Sequence, residues 1–135
     1  MSVGTGPAWL LRDTFIRLRG DASVEPLPVG DGFWAELAQG RLGTFHNEYL
    51  VTMSSIKEHW RQWEMHPNGD EIIILLCGKA TLLMQVDIGV RRLPFDTPYT
   101  FHIVPKGTWH TMEVSEPANL LFITAGEGTE HQAIG

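Results

Sequence analysis

From Gly43 onward the chain reads as short runs rich in β-branched and aromatic residues: Tyr49–Ile56, Trp60–Met65, Glu71–Cys77, Ala80–Val86, Tyr99–Val104, His110–Val114 and Leu120–Thr124. Turn-forming segments separate them, among them Pro67-Asn68-Gly69-Asp70, Gly78-Lys79, Asp87-Ile88-Gly89 and Glu116-Pro117. This is the signature of strands bounded by residues that favour reversals. Strands this short and this numerous predict an antiparallel sandwich or a small closed barrel, because a lone sheet would leave one apolar face in water. The run Ile72–Leu76 is apolar at odd and even positions alike. It therefore predicts a strand covered on both faces, inside by the opposing sheet and outside by a second subunit or the N-terminal segment. A homodimer is the expectation. Asp31–Gly40 predicts the one helix, capped by Asp31 and released through Gly40. Trp9–Leu18 fits neither period and carries no assignment.

Composition narrows the class. With 135 residues, 43% of them hydrophobic, the chain suits a single domain with one core. Ten Lys and Arg against sixteen Asp and Glu give a net charge of −6. That balance disfavours nucleic acid and anionic membrane as partners. Five Trp and six Phe exclude a disordered chain. Cys77 is the sole cysteine, so neither an internal disulfide nor an all-cysteine zinc site can form. Placed in a strand covered on both faces, its thiol is expected to be inert. The longest aliphatic stretch, Ile72–Cys77, is far short of the ~20 residues of a spanning helix. The first seven residues lack the basic start and apolar middle of a secretory signal, and a cytoplasmic location is expected.

Candidate chemistry gathers between residues 60 and 71. Residues two apart on a strand project to one face about 6.7 Å apart, which places Trp60, Gln62, Glu64 and His66 on one side. The Pro67–Asp70 turn then returns Glu71 beside His66. Imidazole and carboxylate donors converging from different strands are what a borderline divalent cation requires. His110, following the Pro105-Lys-Gly107 turn, is a candidate fourth donor.

These residues resemble the motifs of the conserved-barrel cupins, G-x5-H-x-H-x3–4-E-x6-G and G-x5-P-x-G-x2-H-x3-N. His66, Glu71 and Gly78 match the back half of the first, and Pro105, Gly107 and His110 the middle of the second. The resemblance covers residues 43–126 and implies an all-β fold, an antiparallel double-stranded β-helix or jelly-roll barrel. Residues 1–42 would pack on that barrel, with a short helix near 31–40, and 127–135 would form a tail. It also implies a metal in the barrel mouth, held here by His66, Glu71 and His110. Four positions depart: Glu58 and Tyr99 stand where the motifs have glycine, Val114 where the second has asparagine, and Glu64 where the first has its leading histidine. Glu64 is then either a replacement ligand or a carboxylate held off the metal as a general base.

The remaining candidates read as structural. Trp60 and Gln62 would shape the pocket, with packing the commoner role for Trp60, and Met112 would furnish an adaptable wall. His59 has the wrong strand parity, His46 and His102 show no partner spacing, and His131 lies in a Gly-rich, polar tail, so all four are expected to be solvated or structural. No nucleotide-binding fingerprint is present. Two functions follow: a metal enzyme acting on a small metabolite by Lewis-acid isomerase or lyase chemistry or by oxygenation, or a non-enzymatic small-molecule or metal sensor. The expected cofactor is Zn, Ni, Fe, Mn or Co.

Overall fold

A computed structural model describes residues 7–134. Nine strands and one helix follow in order: β1 (Thr14–Leu18), β2 (Val24–Pro28), α1 (Phe33–Ala38), β3 (Tyr49–Ile56), β4 (Gln62–Met65), β5 (Glu71–Gln85), β6 (Val90–Phe95), β7 (Phe101–Val104), β8 (His110–Thr124) and β9 (Glu130–Ala133). All pairings are antiparallel. The architecture is the antiparallel β-barrel that the pattern predicts.

The two 15-residue strands β5 and β8 pair along their whole lengths and pass from one layer to the other. Where they begin and end, different neighbours join. The first half of β5 and the second half of β8 lie in a layer ordered β2-β1-β3-β8-β5-β7. The second half of β5 and the first half of β8 belong to a layer ordered β9-β4-β8-β5-β6. In β5 the inward residues are odd before the crossing (Glu71, Ile73, Leu75) and even after it (Ala80, Leu82, Met84), and the register shifts between Leu75 and Ala80 absorb the change. Gly78 makes this possible: its φ is +85°, and a Cβ there would lie 2.1 Å from the Pro117 carbonyl oxygen. The core fills the space between the layers with Ile73, Leu75, Leu82, Met112, Leu120 and Phe122 among others.

Several boundaries differ from expectation, each for a local reason. Gly78-Lys79 and Glu116-Pro117 read as strand ends but are a bulge inside continuous strands. Trp9–Leu18 supplies β1, which extends a layer instead of covering it, and a second cluster of Phe15, Leu27, Phe33, Phe45 and Leu50 joins α1 to that extension. There the buried Arg17 guanidinium lies 4.0 Å from the Phe45 ring centre and pairs with Glu25 and Glu48. β2 and β6 contain prolines, tolerated because both are edge strands. Within residues 127–135, Glu130–Ala133 form β9 on the free side of β4. The helix runs over Phe33–Ala38, with Gly32 and not Asp31 at its N-cap and no side-chain cap, while Gly40 takes the expected left-handed conformation. Cys77 falls at the bulge and is exposed, contrary to the buried strand position expected of it.

Candidate metal centre

One end of the barrel assembles the site. Glu71 opens β5 and His110 opens β8, so each is placed by a central strand. Glu64 lies on β4 directly opposite His110 in the register. His66 follows β4 and leads into the 67–70 turn, which packs so closely that a Cβ on Gly69 would lie 2.4 Å from Ala125 Cβ. The turn preceding β8 is tied to the same place: the Gly107 N–H donates to the His66 carbonyl (2.9 Å) and the Lys106 N–H to Asp70 Oδ1 (2.8 Å). Two turns distant in sequence thus hold each other and the imidazoles between them.

The four side chains present ligand atoms all within 4.8 Å of one another. His66 Nε2 lies 3.1 Å from Glu64 Oε1 and 3.4 Å from Glu71 Oε2, and His110 Nε2 lies 3.1 Å from Glu71 Oε1 and 3.9 Å from Glu64 Oε1. His66, Glu71 and His110 are 4%, 1% and 0% exposed. Despite the short separations, His66 Nε2, Glu71 Oε1 and His110 Nε2 have no partner in hydrogen-bonding geometry. The atoms converge on a shared point instead of facing one another.

The partners behind these atoms explain the convergence. His110 Nδ1 is 3.1 Å from the Thr108 carbonyl, which can only accept, so Nδ1 carries the proton. Thr129 Oγ1 donates its single proton to the Gly126 carbonyl (2.9 Å) and must accept from His66 Nδ1–H (2.8 Å). In its neutral form each imidazole therefore offers the Nε2 lone pair to the cluster, the outer-shell arrangement of metal-ligating histidines. Thr124 Oγ1 donates to Glu71 Oε2 (2.5 Å), leaving Oε1 free, and His131 Nε2 donates to Glu64 Oε2 (3.0 Å), leaving its Oε1 toward the cluster.

Electrostatics make the metal-free cluster a proton trap. Burial alone would lower the His66 pKa, but the Glu64 and Glu71 carboxylates outweigh it and hold it up at about 9. Burial alone would raise Glu71, yet His110 and His66 draw it down to about 2. Glu64 is likewise displaced downward, its burial offset chiefly by His66.

The residues fit a divalent cation. Donors held about 2.1 Å from a metal are separated by roughly 3.0 Å in an octahedral shell and roughly 3.4 Å in a tetrahedral one. Glu64 Oε1 lies 3.1 Å from His66 Nε2 and Glu71 Oε1 lies 3.1 Å from His110 Nε2, both in that range, while the 3.9 Å between His110 Nε2 and Glu64 Oε1 is wider. Beside the cluster lies an open cavity of about 310 Å³ lined by Trp60, Arg61, Gln62, Glu64 and His131. Trp60 also belongs to the core, stacked on Phe122 with ring centres 5.8 Å apart, whereas Met112 is fully buried in the core and does not line the cavity. His131 departs from expectation: β9 pairs it opposite Glu64 and brings it to the site. Thr124 and Thr129 also escaped the sequence, since hydroxyl residues carry no spacing signal of their own. His59 does stay away, accepting from the Val114 N–H, and His46 and His102 bond elsewhere, to Glu127 and to the Pro94 carbonyl.

Comparison with solved structures identifies the fold. A point mutant of the Bacillus subtilis oxalate decarboxylase superposes with a TM-score of 0.53 at 20% identity, covering 64% of this chain and 24% of that one. The same enzyme has been studied for its Mn(II) centres. A cupin-2 domain protein of Shewanella frigidimarina and a cupin superfamily protein of Desulfitobacterium hafniense each align over 56% of this chain at 18% identity and a TM-score of 0.48, covering 69% and 65% of their own chains. The chain has the cupin fold. It spans about a quarter of the decarboxylase. No protein-family model and no curated protein matches the sequence. Among the described residues no helix is long and apolar enough to cross a membrane.

Proposed function

We propose that this chain binds one divalent metal ion through His66, Glu71, His110 and Glu64 and works on a small metabolite in the adjoining cavity. The observation that carries the reading is the set of three buried donor atoms, two imidazole nitrogens and a carboxylate oxygen, that converge without hydrogen-bond partners. Buried polar atoms are rarely left so, and each would cost about 1–3 kcal/mol unless something else satisfies it. Two imidazoles and two carboxylates suit Mn, Fe, Co, Ni or Zn. Such an ion supplies Lewis acidity toward a carbonyl or hydroxyl, or oxygen chemistry where positions in its shell stay open.

The chain's own residues divide the remaining work. His66, Glu71 and His110 are buried and pre-oriented to hold the ion. Glu64, with its side chain 24% exposed, faces both the cluster and the cavity: it either completes the ligand set or, held off the ion, is the group placed to exchange a proton with a bound metabolite. Trp60 and Gln62 shape the cavity wall beside it. An isomerase, lyase or oxygenase reaction of a small oxygenated metabolite fits this layout.

Metal analysis of protein expressed with Mn, Fe, Co, Ni and Zn tests the reading: about one ion per chain is expected in wild type and none in His110→Ala. Wild type without metal under all five conditions would overturn it. A screen of oxo-acids, oxalate, sugars and diketones then reads turnover. Saturable binding without turnover would assign the cavity to sensing.

A homodimer is proposed on a separate observation. Pro26, Ile16, Val51, Ile123, Ile72 and Ile103 form one unbroken row across the six strands of the outer layer. Met53, Leu121, Ile74 and Phe101 form the next. Phe101 and Ile103 remain 57% and 51% exposed. Neither row contains a charge, so a second copy of a chain carrying −6 can dock there without like-charge contact. A dimer mass for wild type and a monomer mass for Ile103→Lys in light scattering are expected; a monomeric wild type would remove the proposal. The single exposed thiol, Cys77, fits a reducing, cytoplasmic setting.

A further inference from the structure

We infer that β9 and the residue before it form a strap that sets the affinity of the site, with Thr129 and His131 as positioning residues for His66 and Glu64. The inference rests on the metal reading above and deepens it. Thr129 and His131 are two residues apart, the spacing that puts both side chains on one face of an extended segment. Each makes one contact to a candidate ligand: Thr129 accepts from His66 Nδ1, and His131 donates to Glu64 Oε2.

What holds β9 in place is otherwise slight. It pairs with β4 alone among the described residues, all four of its side chains are exposed, and none belongs to either apolar cluster. Its leading turn is fastened by Asn68 Nδ2 donating to the Glu127 carbonyl (2.9 Å) and by His46 beside the Glu127 carboxylate (3.1 Å). A strand with few buried apolar contacts is a segment of low local stability. Here it is bound to the ligand set at two points. Docking of the strap and binding of an ion are therefore one coupled equilibrium, and coupling of this kind is reciprocal. The strap fixes the imidazole tautomer and the carboxylate rotamer that an ion requires, and an ion that fixes His66 and Glu64 in turn tightens the strap. Glu71 and His110 take no part, since their partners, Thr124 and the Thr108 carbonyl, lie on or beside the central strand β8.

Two measurements on the full chain test this. Calorimetric affinities for Mn²⁺ and Zn²⁺ are compared across wild type, Thr129→Val, His131→Gln, the double variant and Thr129→Ser, with circular dichroism confirming that each is folded. The double variant is expected to bind about 10–100-fold more weakly, the range typical of lost outer-shell partners. Thr129→Ser, which keeps the hydroxyl, is expected to retain wild-type affinity. Amide hydrogen exchange across residues 130–133 is expected to slow when wild type is saturated with Mn²⁺, and not to slow in the double variant at the same Mn²⁺ concentration. Wild type that binds metal, with a double variant of equal affinity or with β9 exchange indifferent to Mn²⁺, overturns the strap alone. Wild type that binds neither of these ions nor Fe²⁺, Co²⁺ or Ni²⁺ overturns the metal reading beneath it.

Discussion

Glu71 and His110 stand on the two longest strands of the barrel, 15 residues each, while Glu64 and His66 depend on β4, which has four. The central pair is more deeply buried, and its orienting partners lie on or beside β8. The outer pair is oriented by β9, an edge strand with exposed side chains. A candidate metal cluster built this way has a rigid half and an adjustable half. The central strands would fix where a cation sits, and the edge would decide how completely its shell is closed. That division follows from topology, because β5 and β8 are paired on both sides whereas β9 has one neighbour among the described residues.

The sharpest way to break this contrast is to disturb the crossing of the central strands. Gly78→Ala places a Cβ against the Pro117 carbonyl at a positive φ and is expected to destabilise the fold by about 4 kcal/mol, read by urea denaturation. A loss under 1 kcal/mol would show that the centre is not the stiff half.

Next comes the pH dependence of the metal-free protein. His66 has its pKa raised to about 9, so the stability it contributes is fully present below about 6.5 and is lost as pH rises through 9. Glu71 has its pKa lowered to about 2, so its contribution is present above about 4.5 and is lost as pH falls through 2. Thermal melts should therefore show a plateau near pH 4.5–6.5 with a fall on either side, the alkaline one amounting to at most about 3 kcal/mol. Glu71→Gln should remove its own acid limb and shrink the alkaline one. Melts of the variant that track wild type at both extremes would contradict the assignment.

A smaller effect separates the two carboxylates. Glu71→Gln is expected to weaken Mn²⁺ binding more than 100-fold, about 2.7 kcal/mol, and Glu64→Gln about 10-fold, about 1.4 kcal/mol, by calorimetry. The reverse order would make the edge residue the principal anchor. Trp60→Phe closes the series: the stacked contact with Phe122 is retained in kind, and stability should fall by about 1 kcal/mol.

Much of this was legible before any coordinates. Tyr49–Ile56 is bounded as predicted, because its β-branched and apolar run is flanked by polar residues on both sides. Glu64, His66, Glu71 and His110 were selected by parity, by one turn and by motif spacing, and they come together in space. Other features were beyond the sequence for definable reasons. β9 reads Glu-His-Gln-Ala and has no apolar face, since its stability comes from the β4 ladder and not from burial. His131 therefore looked like a tail residue. Gly78 and Pro117 look like chain breaks, yet they face each other inside one bulge, and opposition of residues 39 positions apart is a property of strand pairing. Met112 has the parity of a pocket residue, but the depth of the core at its level decides its role.

Local chemistry alone settled that this chain makes short antiparallel strands and carries two imidazoles and two carboxylates at spacings able to meet, because periodicity, turns and donor type are properties of neighbouring residues. The tertiary structure alone decided which nitrogen His66 presents, which hydroxyl or imidazole stands behind His66, Glu71 and Glu64, and which half of the cluster is firmly held. Those facts arise from contacts between segments 40 to 70 residues apart. No local pattern encodes them, since each needs the position of a second strand before it has a meaning.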